Sequence, residues 1–218
     1  MSDRLISLGP QTAEIPEELL LAHARGKVLF IVGAGASKAS NLPDFRELVL
    51  DVYKQIDPAI HQVLMGIPNS ACNQWDAQTK GLTDSQIAEV RRFIAKDYDV
   101  ALGMLERRID GIPHRGSRMR LEIENVLNIA IKANKTSDLH KSIMKLSDRG
   151  AGVAVITTNF DLLLESAARK NNQSVDSFAL GEIPRPGLKE DFSGILHIHG
   201  ALKGKYTKKS ELIISDQD

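Results

Sequence analysis

Three short polar segments carry the residue types of a site that binds a nucleotide and acts on it. Residues 33–37 read Gly-Ala-Gly-Ala-Ser, and their small side chains let backbone N–H groups approach a phosphate. Asn159 supplies an amide, which both donates and accepts hydrogen bonds, and Asp161 supplies a carboxylate. His199 supplies an imidazole, the side chain suited to accepting a proton near neutral pH.

Each of these segments follows a predicted strand. The run at 27–32 is continuously apolar after its first residue, which predicts a strand buried on both faces in a parallel sheet. Residues 151–157 and 194–199 predict two more strands, and 211–215 predicts a fourth. Because open α/β sheets bind ligands beyond the carboxyl ends of their strands, we expect the three polar segments to share one crevice.

Helical patterns fill most of the remaining chain. We predict helices beside the strands at 16–25, 47–56 and 162–170. Strands that alternate with helices predict an α/β fold, a Rossmann-like parallel sheet with helices on both faces. The stretch 58–149 is too long for one crossover and repeats apolar residues at steps of three and four. We therefore predict a core formed by 1–57 and 150–218, with 58–149 as a helical insertion.

Composition argues against several functional classes. Lys plus Arg (28) equals Asp plus Glu (28), so no overall positive charge favours nucleic acid or an anionic membrane. We interpret the basic cluster Arg115, Arg118 and Arg120 as solvated surface. No stretch approaches the ~20 apolar residues of a membrane span. The single cysteine, Cys72, and the absence of a secretion-like N-terminus favour a cytoplasmic location.

The polar segments also have purely structural interpretations. The glycine loop departs from the dinucleotide fingerprint G-x-G-x-x-G at Lys38, so it is also explained as a tight turn without a ligand. Asn159 and Asp161 are favoured residue types for capping the helix that begins near Leu162.

Four other residues leave alternatives open. Taken in isolation, Phe45 is better explained as a core residue, and Arg46 as a surface charge. His197 and His199 are two apart on a predicted strand and would share a face, which suggests a metal site. No third ligand has suitable spacing, so His197 is better explained as a packed or hydrogen-bonded neighbour.

Read together, the segments resemble the Sir2 family of NAD-dependent enzymes. The family loop, followed after a short gap by Pro-Asp-Phe-Arg, matches Gly33-Ala34-Gly35-Ala36-Ser37 and Pro43-Asp44-Phe45-Arg46. The family block Gln-Asn-x-Asp is similar to residues 158–161, with Thr in place of Gln, and the catalytic His-Gly is similar to residues 199–200. The Thr-Thr-Asn-Phe-Asp form and the helical insertion look more like bacterial Sir2-like domains that hydrolyse NAD in anti-phage defence.

The resemblance implies a set of site residues. It makes Asn159 and His199 catalytic, the first positioning the attacking oxygen and the second acting as base. It makes NAD+ the substrate, contacted by Gly33, Ala34, Gly35, Ala36, Asp44, Phe45, Arg46, Thr158 and Asp161. No zinc is expected, because the classical deacylases of the family hold zinc with four cysteines and no cysteine follows Cys72.

The function implied by the resemblance is NAD+ glycohydrolysis to nicotinamide and ADP-ribose by a cytoplasmic, bacterial antiviral effector. Control is expected from a homo-oligomer or from a partner ATPase or sensor protein. Two other functions stay open: a regulatory module that binds NAD or ADP-ribose without cleaving it, and an NAD-dependent protein deacylase. The missing cysteines count against the deacylase, and neither a membrane nor nucleic acid is indicated as a partner.

Overall fold

A computed structural model describes residues 4–71, 75, 77–112, 116–133, 135–150, 152–179, 193–202, 212–215 and 218. In chain order these residues form β1 (Leu5–Ser7), β2 (Glu14–Pro16), α1 (Glu17–Ala24), β3 (Phe30–Val32), α2 (Ala34–Lys38), α3 (Phe45–Ile56), α4 (Pro58–Met65), α5 (Asp84–Ala95), α6 (Tyr98–Asp110), α7 (Arg118–Ala133), α8 (Asp138–Leu146), β4 (Ala154–Thr157), α9 (Leu163–Lys170), β5 (Ser177–Ala179) and β6 (Gly194–His197). The β1 and β2 strands pair as an antiparallel hairpin at the N-terminus.

A four-stranded parallel sheet organises the region that carries the polar segments. Its strand order is β3-β4-β6-β5, with Val32 opposite Thr157 and Thr157 opposite His197. The carboxyl ends of β3, β4 and β6 therefore lie side by side at one edge of the sheet. Helices flank this sheet, and the predicted α/β, Rossmann-like fold is confirmed.

The first strand of the sheet differs from its prediction. Within the described residues β3 is an edge strand, and its regular part covers only residues 30–32 of the predicted run. Val32 is 5% exposed, but Leu29 is 45% and Ile31 is 74% exposed. The prediction of burial on both faces is wrong here, because an apolar run does not reveal whether another element covers each face of the strand.

Helix boundaries follow local signals in the sequence. In α3, the Asp44 side chain accepts from the Glu47 N–H and the Glu47 side chain accepts from the Asp44 N–H, a complete capping box. Thr83 forms the same box at α5. The predicted first helix is confirmed as α1, after Pro16 and ahead of Gly26 at φ +66°. Among the described residues no helix is both long and apolar enough to cross a membrane.

The buried apolar side chains form two clusters. The larger cluster joins α3 to α7 and includes Tyr53, Leu102 and Ile123, together with Leu212 and Ile214 near the end of the chain. The smaller cluster packs β3, β4 and β6 against α8 and α9. The helical character predicted for 58–149 is confirmed where α4 to α8 lie, while the described residues between Met65 and Asp84 are not helical.

Two other strand predictions need correction or trimming. Residues 212–215 are irregular, so the fourth predicted strand at 211–215 is wrong for its described residues, and Glu211 lies outside them. The predicted strands at 151–157 and 194–199 are observed as the shorter β4 and β6, and Ala151 lies outside the described residues. His199 therefore lies in a turn beyond β6 rather than on a strand.

Candidate functional site

A cavity of about 380 Å³ lies beyond the carboxyl ends of β3, β4 and β6. The loops after these strands contribute Ala34, Thr158 and His199 to its lining. The larger apolar cluster contributes the opposite wall, including Leu48 and Leu127. This volume falls within the range of ~300–1,000 Å³ typical of small-molecule sites.

Most of the residues predicted from the sequence meet at this cavity. Those that line it are Ala34, Asp44, Phe45, Thr158, Asn159, Asp161 and His199. Gly33 lies between β3 and α2, and Gly35 and Ala36 lie in the first turn of α2. Arg46 is not among the lining residues.

A chain of hydrogen bonds fixes the Asn159 side chain on the cavity wall. Its Nδ2 donates to the Gly33 carbonyl at 3.1 Å and to Ser37 Oγ at 2.8 Å, and Ser37 Oγ donates to Asp161 Oδ2 at 2.6 Å. A carbonyl can only accept, so the contact with Gly33 identifies the NH₂ end of the amide. The Asn159 Oδ1 has no partner among the described residues and is the amide atom left for a ligand.

Asp161 supports this arrangement and starts the next helix. Its Oδ1 accepts from the Leu163 N–H at 3.0 Å, while its Oδ2 holds Ser37. Asp161 is buried, with only 6% of the residue's surface exposed. The helix-capping interpretation holds for Asp161 only in part: its carboxylate accepts from the first N–H of α9, but the N-cap residue is Leu162. The same interpretation is wrong for Asn159, whose amide binds Gly33 and Ser37 instead.

Asp44 and Phe45 lie where the glycine loop meets α3. The Asp44 carboxylate caps α3 and contacts Lys38 Nζ at 2.5 Å. Burial raises the pKa of Asp44, but the hydrogen bonds from Lys38 and from the Glu47 N–H outweigh it and hold the pKa below its usual value. Asp44 is therefore ionised at neutral pH. Phe45 packs edge-on against Tyr98, with ring centroids 6.0 Å apart, and presents an apolar surface to the cavity.

The Arg46 side chain is occupied elsewhere. Its Nη2 donates to the Ile67 carbonyl at 2.6 Å, and its guanidinium lies 5.1 Å from the centre of the Phe93 ring. Both contacts join α3 to the helices that follow it. The surface-charge interpretation is wrong in this respect, since the guanidinium has fixed partners in the helical cluster.

The two histidines of the Ile-Leu-His-Ile-His segment have different surroundings. His199 lines the cavity, and its carbonyl accepts from the Ile213 N–H at 2.9 Å. His197 is fully buried, with Nδ1 2.8 Å from the Asn159 carbonyl and Nε2 2.7 Å from Glu165 Oε1. The interpretation of His197 as a hydrogen-bonded neighbour is confirmed. Over the described residues, no group of three or more His, Cys, Asp or Glu side chains is arranged to hold a metal ion.

One wall of the cavity consists of residues that no sequence pattern had indicated. Ile213, Ile214 and Ser215 line it, and a buried arginine holds this segment in place. The Arg120 guanidinium donates to the Leu212 carbonyl at 3.2 Å and binds the Asp218 carboxylate. Asp218 Oδ2 in turn accepts from the Ile214 and Ser215 N–H groups at 2.7 and 3.0 Å. Contacts between residues nearly a hundred positions apart leave no local pattern that would have indicated them.

Ser37 is also part of the site, although the sequence patterns gave it no role of its own. It lies inside the Gly-Ala-Gly-x-Ser match, which was the available signal. The structure gives it the central position between Asn159 and Asp161.

The chain is similar both to a known protein family and to a known protein. Residues 153–218, which include Asn159, Asp161 and His199, match the family model of the SIR2-like domain. The chain is also 31% identical over 209 residues to a protein of Sinorhizobium fredii (strain NBRC 101917 / NGR234), named "Uncharacterized protein y4cA". That alignment covers 91% of this chain and 14% of the relative, so this chain spans a small part of the relative's length. Over residues 153–218 the chain is therefore similar to SIR2-like domains.

Proposed function

We propose that this chain binds NAD+ in the cavity and hydrolyses the bond between nicotinamide and ribose. Water and NAD+ would be converted to nicotinamide, ADP-ribose and a proton. The observation that carries the proposal is the meeting of Asn159 and His199 at one cavity with the loop that follows β3. The SIR2-like match over residues 153–218 supports it independently.

The chemistry of NAD+ sets what the site must supply. Nicotinamide leaves as a neutral ring and needs no proton, so the difficulty lies in the positive charge that develops on the ribose. An enzyme lowers this barrier by excluding bulk water and positioning the attacking oxygen. In our proposal the Asn159 Oδ1 accepts a hydrogen bond from the attacking water, and His199 takes the proton that the water releases.

The glycine loop is suited to the diphosphate of NAD+. A Cβ added to Gly35 would meet no atom of the described residues within 4 Å, and the φ of Gly35 is not in the left-handed region. Neither packing nor backbone strain therefore requires glycine at this position, and glycine inside a helical turn is less favourable than alanine. A close approach of a phosphate to the backbone would explain its use.

The apolar wall is suited to the nicotinamide end. Leu42, Phe45, Leu48 and Leu127 line the cavity opposite the strand ends. Such a surface can cover a flat ring and keep bulk water away from the reacting carbon. The polar contacts are then confined to the residues that hold the ribose and the phosphates.

The direct test is chromatography of NAD+ incubated with purified protein and four variants. We expect nicotinamide and ADP-ribose from the wild type and neither product from Asn159→Ala or His199→Ala. Asn171→Ala and His23→Ala are matched controls, because both side chains lie outside the cavity lining. Circular dichroism would verify that all four variants keep their fold.

Two results would contradict the proposal and favour another function. A wild type that binds NAD+ or ADP-ribose without releasing nicotinamide indicates a regulatory binding module. Consumption of NAD+ that requires an acylated peptide indicates a deacylase. Equal turnover in the wild type and in Asn159→Ala would place the chemistry elsewhere.

We also propose the wider role that the resemblance implies. The enzyme would act in the bacterial cytoplasm as an antiviral effector that depletes NAD+, and its activity would be controlled by self-association or by a partner ATPase or sensor. This role rests on resemblance alone, because function resides in the site rather than in the fold. Light scattering of the purified protein and NAD+ measurement during phage infection would test the two parts separately.

A further inference from the structure

A fully buried histidine lies directly beneath the residue proposed to act on NAD+. The His197 ring is 0% exposed, and its Nδ1 lies 2.8 Å from the Asn159 carbonyl. Because a carbonyl only accepts, Nδ1 must carry a proton and donate it. The ring thus holds the backbone of Asn159, not its side chain.

The other ring nitrogen is held by a buried carboxylate. His197 Nε2 lies 2.7 Å from Glu165 Oε1, and the Ser177 hydroxyl donates to the same oxygen at 2.7 Å. Glu165 is 6% exposed, and its Oε2 is buried without a partner among the described residues. A carboxylate this poorly solvated depends on its remaining partners, so it fixes the ring strongly.

The other polar contacts of Asn159 involve its backbone N–H and its side-chain amide nitrogen. Its N–H donates to Thr157 Oγ1 at 3.0 Å, and its Nδ2 donates to Gly33 and Ser37. The contact at its carbonyl differs from these because it comes from an ionisable side chain.

We propose that His197 and Glu165 are positioning residues: the buried pair holds the main chain at Asn159 so that its side-chain amide stands where the NAD+ ribose is attacked. This inference rests on the proposed function and names the residues on which that site depends. Neither residue lines the cavity, so neither would touch the substrate.

The charges around the ring give the pair a pH signature. Burial lowers the pKa of His197, but the hydrogen bond and charge of Glu165, the Asn159 carbonyl and the charge of Asp161 outweigh it and raise the pKa. Glu165 approaches from α9, Asp161 from the loop after β4, and the Ser177 hydroxyl on β5 carries no charge. Once the ring loses its second proton, the Nε2 lone pair faces the carboxylate and the contact becomes repulsive.

The test compares Glu165→Gln with Glu89→Gln. Glu89 is the matched control, because it is also a buried glutamate that accepts from a hydroxyl, that of Tyr53, and pairs with a cation, Arg108. We expect Glu165→Gln to lower kcat for nicotinamide release about 10- to 100-fold, the scale of a misplaced catalytic group, with KM little changed. The fall of kcat at high pH should also begin at lower pH in Glu165→Gln than in the wild type.

A second readout does not depend on turnover. The side-chain NH₂ resonances of Asn159 should shift in Glu165→Gln and stay in place in Glu89→Gln. If Glu165→Gln fails to fold, Ser177→Ala removes a single hydrogen bond to Glu165 and should give a smaller shift in the same direction. Unchanged Asn159 resonances overturn the positioning role whatever the rate. A wild type that releases no nicotinamide overturns the proposed function. In that case the Asn159 resonances still test whether His197 and Glu165 position Asn159.

Discussion

Removing the Arg120 guanidinium should destabilise the protein and disturb one wall of the cavity. Arg120 is buried, and its Nε lies 2.8 Å from Glu106 Oε1. The same group binds the Leu212 carbonyl and the Asp218 carboxylate. Replacement by methionine preserves much of the side-chain volume but leaves Glu106, whose side chain is 0% exposed, without its cation.

The expected loss follows from the cost of an uncompensated buried charge. Breaking a buried ion pair by removing one partner costs about 3–5 kcal/mol. Since domains are typically stable by about 5–15 kcal/mol, Arg120→Met should remove a large fraction of the free energy of unfolding. The double variant Glu106→Gln/Arg120→Met should recover part of this loss, because the orphaned charge is then absent.

Urea denaturation of matched variants measures both effects. Arg108→Met is the control, because Arg108 binds buried Glu89 at 2.6 Å and Asp57 at 2.9 Å but does not contact the 212–215 segment. Both single variants should lose comparable stability, whereas only Arg120→Met should raise KM for NAD+. A loss below about 1 kcal/mol in Arg120→Met, or no recovery in the double variant, would refute this reasoning.

Two further outcomes follow from the sheet. Gly194→Ala should lower the free energy of unfolding by about 2 kcal/mol or more. Gly194 has a φ of +141°, and the added Cβ would lie 2.7 Å from both the Asp176 carbonyl and the Phe178 ring. An unchanged Tm would contradict this. Stability should fall as pH rises above about 6.5 and through the raised pKa of His197, because the folded state holds a proton that the unfolded state has lost. Denaturation across a pH series should show this slope reduced in Glu165→Gln, and an equal slope in both proteins would argue against His197 as its source.

The sequence predicted features that depend on local patterns. The breaker after α1 and the strand-loop pattern at 154–161 are each set by neighbouring residues, and both were predicted. The Asp44 cap of α3 is just as local, but it was not predicted from the sequence, and α3 begins at Phe45 rather than at residue 47. The alternation of strands with helices predicted the parallel sheet. The parallel sheet in turn predicted that Ala34, Thr158 and His199 meet at one cavity. The boundaries proposed for the core and the helical insertion stay a prediction.

Features set by distant contacts could not be predicted in this way. Arg118 is exposed as expected for a solvated basic cluster, but Arg120 is buried against Glu106, and Arg115 lies outside the described residues. Arg118 and Arg120 lie two residues apart on α7, but only Arg120 faces α6 and is buried. The exposure of Ile31 depends likewise on whether another element packs over its face of the sheet, which the residues of β3 do not encode.

The cavity takes its walls from both apolar clusters, since Leu48 and Leu127 belong to the larger one and the opposite side is formed by loops at the strand ends of the smaller one. A ligand that touches both sides binds only while the two are assembled. Binding of such a ligand therefore stabilises the assembled arrangement of the two clusters. At 100 times its Kd, the ligand would raise the free energy needed to separate them by about 2.7 kcal/mol. Amide exchange that requires this separation should slow accordingly, while fraying within either cluster should proceed as before.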